Sequence, residues 1–287
     1  MIKKFSFLIF FLLNFFNNIC KKIFGKNFLP WINYFIQEKL YKSIKIDNRN
    51  INFFTPNSLV DWRVDTFYTK EPETLNWIDT FKKDSDTIFW DIGANIGLYS
   101  IYNALKNSRS TTYCIEPSTS NLRVLSQNIS INKLSDRIKI LPTALTDKKI
   151  SFLDMKEAEF IEGGALNSYG EDFDFEGKKF EGKINYKIFG TTIDHLIDSK
   201  ILPEPDYIKI DVDGIEHLIL KGGSNCLKNK KLKSLSIEIN ENFVDQFEQT
   251  LDIMKKNNFK ILQKKNNIFM VSKKSKFINS FNYIFSR

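Results

Sequence analysis

Carboxylates at the ends of apolar, strand-like runs are the residues here whose types and spacing point to chemistry. The run Ile88-Phe-Trp-Asp91 reaches Asp91, turns through Ile92-Gly-Ala-Asn-Ile-Gly97, and gives way to a helical apolar pattern from Leu98. Gly93 and Gly97 let the backbone lie close to a ligand, and Asn95 tolerates a left-handed conformation almost as well as glycine. The helix that follows offers free N–H groups to whatever occupies the turn. A dinucleotide fingerprint puts a pyrophosphate on that helix end and has no use for a carboxylate there. The spacing Asp91-x-Gly93-x-Asn95-x-Gly97 therefore argues against a nicotinamide oxidoreductase and suits a ligand carrying positive charge. Glu116 closes a second strand-like run, Thr111-Thr-Tyr-Cys-Ile-Glu116, about 20 residues on, where nucleoside-binding α/β units place the acid that accepts ribose hydroxyls. A nucleoside with a cationic tail and no phosphate fits both acids, and S-adenosylmethionine is such a molecule.

Five segments carry a family resemblance in order and spacing. They are Ile88–Gly97, Cys114-Ile-Glu-Pro-Ser118, Ala144-Leu-Thr-Asp147, Tyr207-Ile-Lys-Ile-Asp-Val-Asp-Gly-Ile-Glu-His217 with Leu220-Lys-Gly222, and the approach segment Glu71–Asp79. Together, across roughly residues 65–240, they resemble the FkbM family of methyltransferases. The resemblance implies a class I, Rossmann-like methyltransferase fold. It also implies methyl transfer from S-adenosylmethionine, usually to a hydroxyl of a sugar or another secondary metabolite. The expected cofactor residues are Asp91, Gly93, Ala94, Asn95, Gly97, Glu116, Pro117 and Ala144. Thr143-Ala144 resembles the family's adenine-side segment, and Ser118 and Asn121 read as caps of the helix after Glu116. The family often has Glu where this chain has Asp213.

Methyl transfer to oxygen needs sulfur, methyl and nucleophile held in line, and a group to take the hydroxyl proton. Asp213, Asp211 and His217 are the candidates for that group, in that order. Asp211 and Asp213 share a face if the extended pattern runs through them. The alternative for His217 is a helix-surface residue one turn on, and for Glu216 a charge at a helix N-terminus. Asp211 and Asp213 also form a possible Mg²⁺ pair with a substrate diol, a minority reading, so no metal ligand is assigned. Glu238, Glu71 and Glu73 are further acids near the expected site, each with a plainer structural account.

The elements that must position these residues follow from periodicity. Strand and helix patterns alternate from residue 87, giving an α/β fold with a mostly parallel sheet. Expected strands are 87–91, 111–116, 137–141, 207–212, 234–239, 259–263 and 267–272, the last two an antiparallel C-terminal edge hairpin. The methyltransferase domain is 86–275. A loop excursion or lid at 150–190 is marked by Gly163-Gly164 and an acidic tract, and residues 276–287 form a tail. Residues 46–85 read as a small β element plus an entry helix from Pro72 through Phe81. Residues 1–45 read as a helical N-terminal extension broken at Pro30, with Trp31–Lys45 helical.

Charge separates these parts. Of a net +8, residues 1–45 hold eight lysines against Glu38 alone, while the remainder holds 34 basic and 33 acidic residues. That balance removes a basic-patch argument for nucleic acid. Cys20, Cys114 and Cys226 form no metal or redox spacing, which fits a reducing compartment. Two histidines, His195 and His217, exclude a histidine-rich metal site. The apolar run Phe5–Phe16, flanked by Lys3-Lys4 and Lys21-Lys22, is shorter than the ~20 residues of a spanning helix. No small-x-small cleavage site follows it. It reads as a helix in the interface of an anionic membrane, the alternative being a terminal helix packed on protein. The expectation is a cytoplasmic protein, peripheral on the inner face of the membrane. It would be an O-methyltransferase of polysaccharide biosynthesis acting on a sugar, glycan or glycolipid precursor. The alternatives are a lipid or secondary-metabolite acceptor, an N-methyltransferase, or a non-catalytic nucleoside-binding partner subunit.

Overall fold

The computed structural model describes residues 1–266 and 277–287. In chain order, helices α1 (Ile2–Phe24) and α2 (Leu29–Gln37) precede a hairpin of β1 (Tyr41–Ile46) and β2 (Arg49–Phe54). Short helices α3 (Ser58–Asp65), α4 (Phe67–Lys70) and α5 (Pro72–Asp79) follow. The alternating core begins with β3 (Thr87–Ile92), α6 (Leu98–Lys106), β4 (Ser110–Ile115), α7 (Thr119–Ile131) and β5 (Ile138–Leu141). Then come β6 (Ala144–Leu145), β7 (Ile150–Glu157), β8 (Ser168–Tyr169), β9 (Ile184–Thr191) and α8 (Ile193–Asp198). The chain finishes with β10 (Tyr207–Ile210), α9 (Glu216–Lys221), β11 (Ser234–Asn240), α10 (Val244–Lys256), β12 (Lys260–Asn266) and β13 (Ser280–Ser286).

Seven strands form the central sheet in the order β12-β13-β11-β10-β3-β4-β5. β11, β10, β3, β4 and β5 run parallel, and β13 lies antiparallel between β11 and β12. This is the class I methyltransferase arrangement. Side chains of β3 alternate between the two cores: Phe89 packs with α5, α6, α7 and the β1–β2 hairpin, and Trp90 and Ile92 pack with α8, α9 and α10. Both faces are covered, so the strands read as near-continuous apolar runs. Each such large side chain, fully buried, contributes about 1.5–3 kcal/mol.

Four expectations need correction. Helix α2 ends at Gln37, and Tyr41-Lys-Ser-Ile-Lys-Ile46 is a strand paired with β2; its period-two alternation prevails over the helical reading of Trp31–Lys45. Residues 58–70 are helical rather than β because Asn57 caps α3, its Oδ1 accepting the N–H groups of Leu59 and Val60 at 2.9 Å each. The segment 150–190 is not an unstructured excursion. It folds as a second sheet, β6-β9-β7-β8, with β7 and β9 antiparallel over eight residue pairs. Lastly, the expected strand 267–272 lies outside the described residues, while the expected tail contains β13. The antiparallel strand is therefore one place in from the edge, and β12 takes the edge.

Candidate active site

At the carboxyl ends of β3, β4, β10 and β11 a cavity of about 480 Å³ opens, inside the ~300–1,000 Å³ range of small-molecule sites. The turn after β3 forms one wall. Gly93 adopts φ +79° and sits against β10: an added Cβ would lie 1.9 Å from the Asp211 carbonyl oxygen. Gly97, φ +86°, packs on Leu125 and starts α6 without lining the cavity. Gly93 also lines the cavity, whereas Gly97 accommodates protein rather than ligand, a correction to its expected role. Ala94 and Asn95 do line the cavity. Asn95 has φ +51°, and its N–H donates to Glu116 Oε2 at 2.7 Å.

Glu116, buried at the end of β4, also accepts the Ser118 N–H at 2.9 Å and the Asn121 side-chain amide at 3.4 Å, both on Oε1. Oε2 takes one hydrogen bond and keeps acceptor capacity toward the cavity. Burial pushes the carboxyl up to about 7 despite these donors. Pro117 and Ala144 line the same side, with Thr143, whose hydroxyl donates to the Phe189 carbonyl at 3.0 Å.

Asp91 does not line the cavity. It lies beneath the turn, accepting the Ser100 hydroxyl at 2.5 Å on Oδ2, while Oδ1 is buried without a partner. Burial raises its pKa, opposed by Lys209. The carboxylate therefore acts on the floor of the site, not on its surface.

That floor is an ion-pair cluster. Lys209, 2% exposed in the middle of β10, donates to Asp211 Oδ2 at 2.7 Å. Lys70 pairs with Glu71 at the junction of α4 and α5. Burial alone would push Asp211 and Glu71 up, but Lys209 and Lys70 outweigh it and hold both carboxyls below the usual range. Glu238, on β11, lines the same cavity. Burial and the neighbouring Asp211 and Glu71 push it well above the usual range. Ammonium, carboxylate and a neutral acid thus coexist within a desolvated pocket, the condition that tunes groups for proton chemistry.

Beyond β10 the extended pattern stops, because Asp213 takes φ +64°. Asp211 and Asp213 both line the cavity nonetheless. Glu216 shapes the loop between them by accepting the N–H groups of Val212 at 3.2 Å and Gly214 at 3.0 Å. Burial pushes it up to about 8. Asp213 Oδ2 accepts the N–H groups of Leu166 at 2.6 Å and Asn167 at 3.4 Å. Burial, then Asp211, push its carboxyl up to about 6. Asp211 is thus bound to Lys209 and Asp213 to these amides. Among the described residues no group of three or more His, Cys, Asp or Glu is placed to hold a metal ion.

His217 is elsewhere. It points into the α9–α10 packing, its ring 6.2 Å from that of Phe243, and does not line the cavity. Burial lowers its pKa to about 4. Helical phase carries it to the core side, where it is 6% exposed, so it is neither the base in the cavity nor the helix-surface residue weighed as the alternative.

The segment 158–169, between β7 and β8, covers the cavity and contributes Ala158, Glu159, Ile161 and Gly164–Tyr169 to its lining. Asn95 and Asn121 side chains donate to the Gly164 carbonyl at 2.7 and 3.1 Å. Opposite, α3 supplies Leu59, Trp62 and Arg63. Lys209, Lys70, Trp62 and Arg63 were not identified from sequence. Lys209 had a signal: a lysine flanked by isoleucines in a strand buried on both faces requires carboxylate partners.

A family model described as "Methyltransferase FkbM domain" matches residues 91–261, more than half of the chain. The chain is 24% identical over 156 residues to the hexuronic acid methyltransferase AglP of Haloferax volcanii, covering 51% of this chain and 54% of that protein. It thus spans about half the length of the curated relative it matches. Among solved structures it is similar to a precorrin-6y C5,15-methyltransferase of Geobacter metallireducens. Identity there is 13%, coverage 76% of this chain and 86% of that one, and the TM-score 0.44. It is also similar to M. capricolum TrmK in complex with S-adenosyl-homocysteine, with 13% identity, 74% and 66% coverage and a TM-score of 0.41.

Proposed function

We propose that this chain, which belongs to the FkbM methyltransferase family, transfers a methyl group from S-adenosylmethionine to a hydroxyl of a sugar, glycan or glycolipid precursor. The observation that carries this reading is that Glu116 and Asp213, from two different strand ends, face one cavity with acceptor capacity at each.

Glu116 accepts the ribose hydroxyls, with Ala94, Asn95, Pro117 and Ala144 around the nucleoside. The co-substrate supplies a methyl carbon bound to positively charged sulfur. Asp213 takes the acceptor's hydroxyl proton while the new O–CH₃ bond forms and the S–CH₃ bond breaks, leaving a neutral thioether. Its pKa of about 6 keeps it mostly ionised at neutral pH yet basic enough to assist. Lys209 and Lys70 hold Asp211 and Glu71 ionised nearby, where negative charge favours the sulfonium end. Segment 158–169 excludes water. The similarity to AglP, a hexuronic acid methyltransferase, supports a sugar acceptor.

The N-terminal extension supports work at a membrane. α1 is 23 residues long and leaves Phe5, Phe7, Phe10, Phe11, Phe15 and Phe16 exposed. By length and composition it is also long and apolar enough to cross a membrane. Asn17, within α1, caps α2 by accepting the Phe28 and Leu29 N–H groups at 2.9 and 3.3 Å. Trp31, Tyr34 and Phe35 of α2 are exposed beside it. Aromatic side chains flanked by lysine pairs suit an anionic interface, and the reading is a peripheral attachment on the cytoplasmic face.

Calorimetric titration with S-adenosylmethionine, S-adenosylhomocysteine and NAD tests the core of this. Binding of the two adenosyl compounds without NAD is expected; binding of none would leave a non-catalytic relative of the family.

A further inference from the structure

We propose that Arg63 forms an anion subsite for the acceptor, so that the methylated molecule carries a carboxylate or phosphate as well as the reacting hydroxyl. This rests on the reading of the cavity as the methyl-transfer site and narrows its substrate class.

Among the described residues, three cationic side chains line the cavity: Arg63, Lys70 and Lys209. Lys70 is paired with Glu71 and Lys209 with Asp211. Arg63 stands in no ion pair among the described residues. Its Nε donates to the Gly163 carbonyl at 2.7 Å, which fixes the plane of the guanidinium. Both terminal NH₂ groups stay uncommitted among the described residues, and this is the fork that matches a carboxylate or phosphate. The mounting is firm. Asn57 caps α3 through Oδ1, and its Nδ2 donates to the Glu162 carbonyl at 3.1 Å, in the same covering segment that holds Gly163. Trp62 and Leu59 give an apolar surface beside the cation. The field of Arg63 reaches Asp213, so an anion held at Arg63 and a hydroxyl at Asp213 belong to one small acceptor, such as a uronic acid or a sugar phosphate. Asp213 is felt only through this field and not by contact, so a ligand anion would be the direct partner of the half-buried guanidinium.

The co-substrate's own amino-acid carboxylate offers the same chemistry, so the test separates the two. Protein saturated with S-adenosylhomocysteine would be titrated with glucuronate, glucose 1-phosphate and glucose. Either anionic sugar is expected to bind roughly tenfold or more tighter than glucose. Arg63→Gln is expected to erase that preference and Arg63→Lys to keep part of it, with unchanged melting temperature and S-adenosylhomocysteine affinity. Equal binding of the three sugars would overturn the proposal. So would an Arg63→Gln protein that loses affinity for S-adenosylhomocysteine but not for 5′-methylthioadenosine, which lacks the amino-acid end. Failure of S-adenosylhomocysteine to bind wild-type protein would instead overturn the cofactor reading beneath it.

Discussion

Asp213 accepts the backbone N–H of Leu166 at 2.6 Å across 47 residues of sequence. The carboxylate at the floor of the cavity therefore fastens the segment that covers it. An ionised Asp213 is the stronger acceptor, so a proton gained there weakens the fastening while the chemistry proceeds.

Asp213→Asn is expected to keep the amide bonds through its side-chain oxygen and lose the base. Turnover should fall roughly 10²–10⁴-fold with S-adenosylhomocysteine affinity within a few-fold of wild type. In wild type, kcat/KM should rise with pH up to about 6, the Asp213 value, and level off above it, because only the ionised form accepts the proton. Protection of the Leu166 amide from hydrogen exchange, taken relative to its intrinsic rate at each pH, should fall below the same pH. A fully active Asn variant would remove Asp213 as base.

Glu116→Ala should weaken S-adenosylhomocysteine binding by at least roughly a hundredfold, since each hydrogen bond to a charged group is worth about 1.5–3 kcal/mol. The free carboxyl sits at about 7 and the ribose hydroxyls prefer its ionised form. Wild-type affinity should therefore decline as pH falls below 7, by up to about tenfold per unit. Calorimetry from pH 5.5 to 8 reads both; a flat profile would show that Glu116 does not meet the ligand.

Gly93→Ala should destabilise the protein by about 3 kcal/mol or more. The added Cβ meets a backbone oxygen at 1.9 Å at a φ of +79°, and backbone of a central strand end does not yield. At Gly97 the obstacle is the Leu125 Cδ1 at 2.5 Å, a side-chain end able to move, so Gly97→Ala should cost less. Urea unfolding of both variants checks the order; the reverse order would mean that the β3 and β10 turns are not locked together.

Removing residues 1–24 should abolish flotation with vesicles containing anionic lipid and leave S-adenosylhomocysteine affinity and melting temperature near wild type, because α1 packs on α2 and is otherwise exposed. Binding of the full chain should weaken as salt rises, through screening of the lysine pairs. Retained flotation of the truncated protein would place the attachment elsewhere.

The central strands were legible because each is an apolar run closed by Gly, Asn, Asp or Glu, as at Ile88–Gly97 and Tyr207–Gly214. Strand β13 was not, since Ser280–Ser286 buries Asn282, Tyr283, Ile284 and Phe285 in succession and shows no alternation. β7 was obscured by Ile150 and Phe152 standing exposed on its outer face. At the site, residue type located the acids but not their partners. What holds Asp213 and Glu116 are main-chain amides and an Asn side chain from the loops, which no side-chain pattern reveals. Sequence spacing placed His217 near Asp213, and helical phase turned it away. Arg63 sits in an eight-residue helix with no motif around it, and only the fold discloses that its neighbours leave it without a carboxylate.

The covering segment is held largely by its main chain: the Gly163 and Gly164 carbonyls and the Leu166 and Asn167 amides carry its tethers. Side chains at Glu159, Ile161, Ala165 and Leu166, which line the cavity, are free to be exchanged without unfastening it. Such a loop can drift in evolution, or be randomised in a library, and still close. In the proposed reading, acceptor preference is shared between Arg63 on α3 and a few positions of this loop.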